Sequence, residues 1–469
     1  KIICLLSSSC FTNMKNILLA IALVFFVSLN GFTQGVSDTA LRRVRDQDAL
    51  SRDSTGKLQT LTALEHLQRA ETYSANRLFP QARAHWQKVF DIYPDNAGIP
   101  KALFGTARSY MWERDYDKAV TWFNKLTKDH LNTKDGREGL AFKGASYVRA
   151  GKNLEAAKSY EQYLTMFPDG ERIETAYLNT IDAYREAGKY DEANEWVDKT
   201  ARKFRGKPAE VNALHARLRM ETFRGNCNDA VKAADGLLAG KSFAGTMTSR
   251  DEVNYLKGLA LENCKQKVEA LLVYEAIPSG SYFGNLAASR FSAGEQFKTI
   301  GRATPVLYKD YPVLYRTELL TQAKKRKIDP RFVLAIMKQE SVFKSGAKSP
   351  AGARGLLQLV YDTALKYNKK AGYPNLQPDD LYKPSVNIAI GSVYIAELND
   401  EFDGLYEAIA ASYNGGEDNA ARWLNRSKPK EAGIFASEIG FAETKNYVFK
   451  VMNNYRAYRE LYDENLVKK

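Results

Sequence analysis

A glutamate at position 340 is the residue in this sequence best placed for acid–base chemistry. Asp329-Pro330 predicts the start of a helix, with aspartate as the N-cap and proline in the first helical position. Along that helix, Glu340 shares one face with three apolar residues, Val333, Ile336 and Met337. A carboxyl group among apolar side chains loses hydration and its pKa rises, which a general acid near neutral pH requires. On the spacing alone, a structural carboxylate that caps or bridges elements of a helical domain is the favoured interpretation, because buried acids are more often structural than catalytic.

The C-terminal third of the chain contains neither histidine nor cysteine. All 4 histidines precede residue 216, and the last cysteine is Cys264. This composition excludes Ser-His and Cys-His nucleophiles and histidine-bound metals from that third. Catalysis there must use carboxylates, hydroxyls, amides or lysines, and we expect no metal and no cofactor.

Polar residues that could line a ligand site follow Glu340 in four places. The loop 345–355 is rich in small residues, which let backbone come close to a ligand, and it carries Ser349. A single amide, Gln358, stands in the apolar segment after it. A second predicted helix ends at Gly415-Gly416, where Tyr413 and Asn414 would project. The last such cluster contains Glu443 and Tyr447 and leads into an aromatic helix.

An alanine recurs every 37 residues in the middle of the chain, at Ala82, Ala119, Ala156, Ala193 and Ala230. An amphipathic stretch follows each alanine, and another helical stretch precedes it. Helix pairs with a small residue at the crossing are the tetratricopeptide pattern, whose period is about 34 residues. Because one pair cannot bury its apolar face alone, five or six stacked pairs are expected to form a solenoid over about residues 57–277. Its concave surface could hold a partner or wrap the next domain, or the solenoid could be a spacer.

Two cysteines, Cys227 and Cys264, also lie 37 residues apart, which predicts equivalent places in successive repeats. Packed helices lie about 8–10 Å apart, whereas a disulfide needs Cα atoms within about 7 Å. This geometry argues mildly against a bond, although an exported protein can form one. The sequence leaves open whether they are bonded.

The N-terminal residues are typical of a secretory signal peptide, taken as residues 1–33. Met14-Lys15-Asn16 precedes an apolar run, Ile17 to Leu29, and a polar tail. Residues 1–13 precede this complete signal and are interpreted as a start-site artefact. An uncleaved anchor is the alternative, but the run is shorter than the about 20 residues that span a membrane. We therefore expect no stable membrane span after cleavage.

The remaining boundaries follow from composition. A linker is expected over residues 34–56, and a joint containing glycines and prolines over 278–315. The C-terminal domain would then occupy residues 316–469. The net charge of +13 favours anionic partners, but the basic residues are scattered and no aromatic–basic motif supports a nucleic-acid partner.

Several motifs in the same order resemble the soluble lytic transglycosylases, whose catalytic domain has the goose-type lysozyme fold. They lie between about Ser281 and Leu461 and include Gln339-Glu340-Ser341, Gly355-Leu356-Leu357-Gln358-Leu359, Tyr413-Asn414-Gly415-Gly416 and Glu443-Thr444-Lys445-Asn446-Tyr447-Val448. The resemblance implies a mainly α protein, with a tetratricopeptide-like solenoid before a lysozyme-like α domain. Val360, Tyr361 and Gly415 depart from the family's usual residues, which concerns the shape of the cleft more than the chemistry.

The resemblance also implies a role for each candidate residue. Glu340 matches the acid/base, and Ser349 and Gln358 match polar residues of the cleft. Tyr413 and Asn414 match the pair beside the carboxylate, with Tyr413 the candidate for steering its proton. Glu443 and Tyr447 match groups near the sugars and peptide of the substrate.

The expected substrate is the glycan strand of peptidoglycan, in the periplasm of a Gram-negative bacterium. The expected reaction cuts the β-1,4 bond between N-acetylmuramic acid and N-acetylglucosamine and leaves a 1,6-anhydro end. A goose-type lysozyme hydrolase and a non-catalytic peptidoglycan-binding scaffold are the alternatives. A protein partner on the helical repeats is left open.

Overall fold

The computed structural model describes residues 38–291 and 306–469, which fold into helices, with only isolated β-bridges outside them. The predicted mainly α fold class is therefore confirmed. The predicted signal peptide lies outside the described residues. None of the described helices is long and apolar enough to cross a membrane.

The stretch 34–56 contains helix α1 (Thr39–Leu50), so the expectation of a linker does not hold there. Leu41 and the half-buried Val44 pack against the first helix pair, but the other buried residue of α1 is charged. This residue, Asp48, also attaches the helix to the pair by accepting hydrogen bonds from Tyr73 and His85. These partners are distant in sequence, so periodicity could not reveal the helix.

Six helix pairs form the arm, and their order agrees with the predicted solenoid. The first helices are α2 (Ala63–Ala75), α4 (Ile99–Trp112), α6 (Lys134–Arg149), α8 (Ile173–Glu186), α10 (Pro208–Arg224) and α12 (Arg250–Asn263). The second helices are α3 (Phe79–Ile92), α5 (Tyr116–Asp129), α7 (Asn153–Met166), α9 (Tyr190–Lys203), α11 (Cys227–Leu238) and α13 (Lys267–Glu275). Each marker alanine is the fourth residue of its second helix and is 0% exposed. A larger side chain there would separate the crossing helices.

Cys227 and Cys264 form a disulfide with a Cα–Cα distance of 5.6 Å, so the geometric argument against a bond was wrong. The two residues do not occupy equivalent places. Cys227 is the first residue of α11, whereas Cys264 caps the end of α12, three residues before α13 begins. The last repeat is longer than 37 residues, and this insertion moves Cys264 into a turn beside the preceding repeat.

The C-terminal region is a helical bundle around α16 (Pro330–Ser341), whose residues Phe332 to Met337 are at most 1% exposed. The longest neighbour of α16 is α22 (Ala442–Leu461), which packs along it. The other helices are α14 (Tyr282–Ala288), α15 (Arg316–Arg326), α17 (Tyr361–Ala371), α18 (Pro384–Glu401), α19 (Tyr406–Gly415), α20 (Glu417–Asn425) and α21 (Ala432–Glu438), with 3-10 turns at Tyr308–Asp310 and Pro378–Tyr382. Helix α14 lies in the expected joint, so that segment is partly packed structure.

The arm contacts the C-terminal bundle along its length, through residues at or near the ends of its first helices. Contacts run from the first pair, where Asn76 accepts a hydrogen bond from Arg354, to the sixth, where Glu252 pairs with Lys445 at 2.6 Å. Between them, Arg114 pairs with Glu417 at 2.6 Å. Of the roles expected for the solenoid, wrapping the next domain agrees with these contacts better than a spacer.

Candidate active site

Glu340 lies in the last turn of α16, next to an abrupt end of the helix. The side chain of Asp329 caps the other end, accepting a hydrogen bond from the backbone N–H of Arg331 at 2.8 Å. After Ser341, both Val342 (φ 50°) and Phe343 (φ 62°) adopt left-handed backbone conformations. Such a conformation is strained for a β-branched residue, and strained backbone is often found at functional sites. The chain therefore leaves the helix directly after the candidate carboxylate.

The carboxyl group of Glu340 is half-buried and has a tyrosine, not a cation, as its hydrogen-bond partner. The hydroxyl of Tyr447 donates to Glu340 Oε1 at 2.7 Å. Burial raises the pKa of Glu340 to about 7; the Tyr447 hydrogen bond opposes the rise, and the charge of Glu443 adds to it. No described lysine, arginine or histidine forms an ion pair with Glu340. The group can thus hold or release a proton near neutral pH.

The loop after α16 is closed by its own hydrogen bonds, and the candidate residues Ser349 and Gln358 make several of them. Ser349 Oγ accepts from the backbone N–H of Ala353 at 3.1 Å. Gln358, at φ 45°, donates through Nε2 to the carbonyls of Ala347 and Gly355. Both residues shape the loop 345–359, which we call the cleft loop.

Three side chains attach the cleft loop to the rest of the bundle. Ser341 Oγ donates to the carbonyl of Leu356 at 2.7 Å, and Tyr413 donates to the carbonyl of Leu357 at 2.7 Å. Asn387, fully buried in α18, accepts from the N–H of Leu357 and donates to the carbonyl of Arg354. Sequence analysis did not place Asn387 at the site. The feature of the sequence that could have identified Asn387 is that it is an amide inside the apolar run of α18.

The hydrogen bond expected from Tyr413 to Glu340 comes from Tyr447 in the structure. Tyr413 was the candidate for steering the proton of Glu340. Its hydroxyl instead donates a hydrogen bond to the backbone carbonyl of Leu357, and the hydroxyl of Tyr447 donates to the carboxyl group. Burial raises the pKa of Tyr413 well above its usual value, and the nearby charge of Glu340 adds to this. Tyr413 is therefore a neutral support of the loop.

The last two candidates lie on either side of Thr444. Asn414 is exposed, and its Oδ1 accepts a hydrogen bond from Thr444 Oγ at 2.7 Å. Glu443 is half-buried, and its Oε2 lacks a described hydrogen-bond partner. Burial raises the pKa of Glu443 as well. Glu340, Tyr447 and Glu443 are thus electrostatically connected, whereas Ser349 and Asn414 have no described contact with Glu340.

A cavity of about 330 Å³ lies elsewhere, between the arm and the bundle. Its lining includes Arg149, Arg185, Arg422 and Arg426 but not Glu340. Most of these arginines pair with acidic residues of the interface, as Arg422 does with Glu186 at 2.7 Å. The cavity is therefore distinct from the candidate acid.

The described residues combine a helical arm with a bundle that holds an accessible carboxyl group of raised pKa, Glu340, and comparison with known proteins gives the class of the domains. Residues 319–435 match the family model described as "Transglycosylase SLT domain", and residues 143–208 match "Tetratricopeptide repeat". The chain thus contains a transglycosylase SLT domain preceded by tetratricopeptide-like repeats, as its sequence motifs predicted.

Similar curated proteins are lytic murein transglycosylases. A putative soluble lytic murein transglycosylase of Haemophilus influenzae is 38% identical over 126 residues, which are 27% of this chain and 21% of that protein. The soluble lytic murein transglycosylase of Escherichia coli K12 is 31% identical over 154 residues, 32% of this chain and 24% of that protein. The membrane-bound lytic murein transglycosylase C of Salmonella arizonae is 32% identical over 29% of this chain and 44% of that protein. The alignments therefore span less than half of each relative.

Solved structures show a distant likeness over more of the chain. The 70 kDa soluble lytic transglycosylase of Escherichia coli has a TM-score of 0.49 at 18% identity, covering 92% of this chain and 86% of that one. A tetratricopeptide repeat protein of Parabacteroides merdae has a TM-score of 0.36 at 12% identity, covering 70% and 98%. Likenesses of this size are too distant to argue from.

Proposed function

We propose that the chain is a peptidoglycan lytic transglycosylase whose acid and base are one residue, Glu340. The observation that carries the proposal is the carboxyl group of Glu340, which is half-buried, accessible, free of cations and raised in pKa to about 7. Such a group is protonated in a large fraction of molecules near neutral pH and can be deprotonated during turnover. The proposed domains are the repeats over about 57–277 and the catalytic domain over 316–469.

The proposed reaction begins with proton donation. Glu340 protonates the oxygen of the β-1,4 bond between N-acetylmuramic acid and N-acetylglucosamine, and the bond from that oxygen to the muramic anomeric carbon breaks. The positive charge that develops at this carbon is stabilised by the substrate's acetamido group, in place of the second carboxylate of a two-acid glycosidase.

The same residue then completes the reaction as a base. The Glu340 carboxylate takes the proton of the muramic C6 hydroxyl, and that oxygen bonds to the anomeric carbon. The product has a 1,6-anhydro end, and no water is consumed. Tyr447 orients the carboxylate through its 2.7 Å hydrogen bond, and the hydroxyl of Tyr413 holds the cleft loop.

The remaining candidates are proposed to bind substrate. Glu443 and Asn414, on the exposed side of the α19 and α22 ends, would contact the sugars or the stem peptide, and Ser349 and Gln358 would line the cleft. The proposed location is the periplasm, after export directed by residues 1–33. A protein partner on the repeats stays a prediction.

The decisive experiment compares two glutamates. Glu340→Gln should lower release of muropeptides from purified sacculi by at least about a hundredfold, the scale of losing general acid–base catalysis. Glu407→Gln is the matched control, because burial also raises the pKa of Glu407 and Tyr282 donates to it at 3.1 Å, but Glu407 is only 6% exposed. This control should retain activity within about twofold, as expected for a substitution away from the reacting atoms.

Mass spectrometry of the products separates the alternatives. Anhydro ends support the transglycosylase, whereas reducing ends would assign the chain to the lysozyme hydrolases. If Glu340→Gln releases muropeptides as fast as the parent, or if the folded parent releases none, the enzyme proposal is wrong and a wall-binding scaffold becomes the better assignment.

A further inference from the structure

Asp38 precedes the first helix of the arm, but its charged partners belong to the cleft loop. Its Oδ2 pairs with Arg354 Nε at 2.9 Å, and its Oδ1 pairs with Lys348 Nζ. The side chains of Asp38 and Arg354 are 1% and 0% exposed. An ion pair between residues more than 300 positions apart is thus closed to solvent.

The arm also contacts the cleft loop through the turn between α2 and α3, by a hydrogen bond and by close backbone packing. Arg354 Nη2 donates a hydrogen bond at 2.8 Å to Oδ1 of Asn76, which lies in the turn between α2 and α3. Gly352 (φ 77°) lies directly against this turn, where a Cβ atom would be 2.7 Å from the carbonyl oxygen of Ala75. Only glycine permits both this conformation and this approach.

The inner side of the same loop carries the contacts that lead to the candidate acid. The backbone of Arg354 pairs in both directions with Leu359, and its carbonyl accepts from Asn387. Two residues further on, the carbonyl of Leu356 accepts from Ser341, the residue that follows Glu340. The carbonyl of Leu357 is the partner of Tyr413. One short segment therefore joins the arm to the surroundings of Glu340.

The charge of Asp38 is strongly favoured in this place. Burial opposes ionisation, but hydrogen bonds from Arg354, Asp379 and Lys348 outweigh it and lower the pKa of Asp38 to about 2. Without the Asp38 carboxylate, Arg354 would be a fully buried cation that has lost its described ion-pair partner; the other acid whose charge acts on it, Asp379, forms no described ion pair with it. Because an unpaired buried charge is very unfavourable, the loop would have to move to let water reach it.

We propose that Asp38 is a positioning residue for the reaction: its ion pair with Arg354 and Lys348 fixes the cleft loop in its active conformation, so that turnover requires the N-terminal end of the arm. The proposal rests on the proposed function of Glu340. If Asp38 has this role, the arm helps to hold the active site in its working conformation, in addition to any role in binding a partner.

The test uses two buried aspartates at the two ends of α1, in the full chain. Asp38→Asn breaks the contact with the cleft loop. Asp48→Asn is the matched control, because Asp48 is 4% exposed against 3% for Asp38, and it pairs only within the arm, with Arg69, Tyr73 and His85. The readouts are kcat and KM on soluble glycan strands and the melting temperature.

Both variants should lower the melting temperature, but only Asp38→Asn should lower kcat, by about tenfold or more, with KM changed less than about threefold. Asp38→Glu, which keeps the charge, should recover most of kcat. If Asp38→Asn fails to fold, Asn76→Ala replaces it, and kcat should fall by about threefold because Arg354 loses an acceptor.

Equal losses of kcat in Asp38→Asn and Asp48→Asn would overturn the proposal, since the arm's stability would then explain both. Full kcat in Asp38→Asn, or in Asn76→Ala where it is the variant used, would overturn it too, as would Asp38→Glu with no more activity than Asp38→Asn. A folded parent without activity would instead contradict the proposed function, so the two failures are distinguishable.

Discussion

Two glutamates at the ends of helices in the C-terminal bundle show how the same side chain serves two purposes. Glu438, at the end of α21, is 1% exposed and is surrounded by arginines. Arg185 binds it through both terminal nitrogens, at 2.8 and 2.6 Å, and Arg219 and Arg426 approach at 2.9 and 3.2 Å. Glu340, near the end of α16, has Tyr447 instead.

Burial acts in the same direction on both groups, and the neighbours decide the outcome. At Glu438, burial would raise the pKa, but the charges of Arg185, Arg219 and Arg426 lower it to about 2. At Glu340, burial prevails because only a tyrosine opposes it, and the pKa rises to about 7. A permanently ionised carboxylate can join the arm to the bundle, whereas a carboxyl group that exchanges its proton can do acid–base chemistry.

The largest effect on stability is expected when the arginine-bound carboxylate is neutralised. Glu438→Gln should lower the free energy of unfolding by about 3–5 kcal/mol at pH 7, because it leaves the buried guanidinium of Arg185 without its ion-pair partner and Arg219 with only Asp182, at 4.0 Å. Since the folded pKa lies below the unfolded one, this contribution is complete above about pH 4.5 and is lost as pH falls towards 2. Urea denaturation over this pH range measures it.

Asp198→Asn tests an exposed ion pair of the arm, for comparison with the buried cluster around Glu438. Asp198 pairs with Arg217 at 2.9 Å, but its side chain is 52% exposed. Water and salt screen such a pair, so the urea midpoint should stay unchanged within error. If the two variants destabilise the protein equally, burial is not what makes the arginine cluster important.

The arm was easier to predict than its attachment. The 37-residue spacing of Ala119 and its equivalents gave the helix pairs because each repeat makes the same local packing contacts. Contacts such as Arg185 with Glu438 join residues 253 positions apart and follow no period. The same reason explains why Thr39–Leu50 was missed as a helix and Cys264 was misplaced within its repeat.

A second, smaller effect of opposite sign is expected at the candidate acid. The folded pKa of Glu340 lies above its unfolded value of 4.5, so the folded state loses stability as pH rises from about 4.5 through about 7. Glu340→Gln cannot ionise and should be more stable than the parent at pH 8, by about 2–3 kcal/mol. Urea denaturation of both proteins at pH 4 and pH 8 measures the difference.

At pH 4 the same two proteins should have nearly equal stability, which serves as the internal control. A Glu340→Gln variant that is less stable than the parent at pH 8 would mean that the carboxylate is favoured where it lies. The comparison with Glu438 would then fail, because both groups would be structural anions.

From the sequence pattern, only the part of the candidate site that lies on a single helix could be predicted. Glu340 was a candidate because it continues the apolar face of its own helix, but this spacing also fits a structural carboxylate, and the family resemblance supplied the acid/base role. Its hydrogen bond from Tyr447 crosses 107 residues, and the distinction between Tyr447 and Tyr413 depends on how α19 and α22 pack beside α16. Family resemblance supplied these residues as candidates, but their individual contacts required the tertiary structure.

The smallest expected effect concerns the pH dependence of kcat/KM, which should fall as Glu340 loses its proton. Tyr447→Phe removes a hydrogen bond that favours the charged form of Glu340, so the pKa and the falling limb should move to higher pH. One hydrogen bond contributes about 1 kcal/mol, which corresponds to about half to one pH unit. Soluble glycan strands assayed from pH 5 to 9 measure the limb.

Glu443→Gln should move the same limb in the opposite direction. The charge of Glu443 raises the pKa of Glu340, so its removal lets Glu340 ionise at lower pH. Opposite shifts would identify the limb with the proton of Glu340, because a change in general stability would move both variants the same way. If neither variant shifts the falling limb of the pH profile, a group other than Glu340 controls it. The difference in pKa between Glu340 and the permanently ionised Glu438 would then not explain the activity.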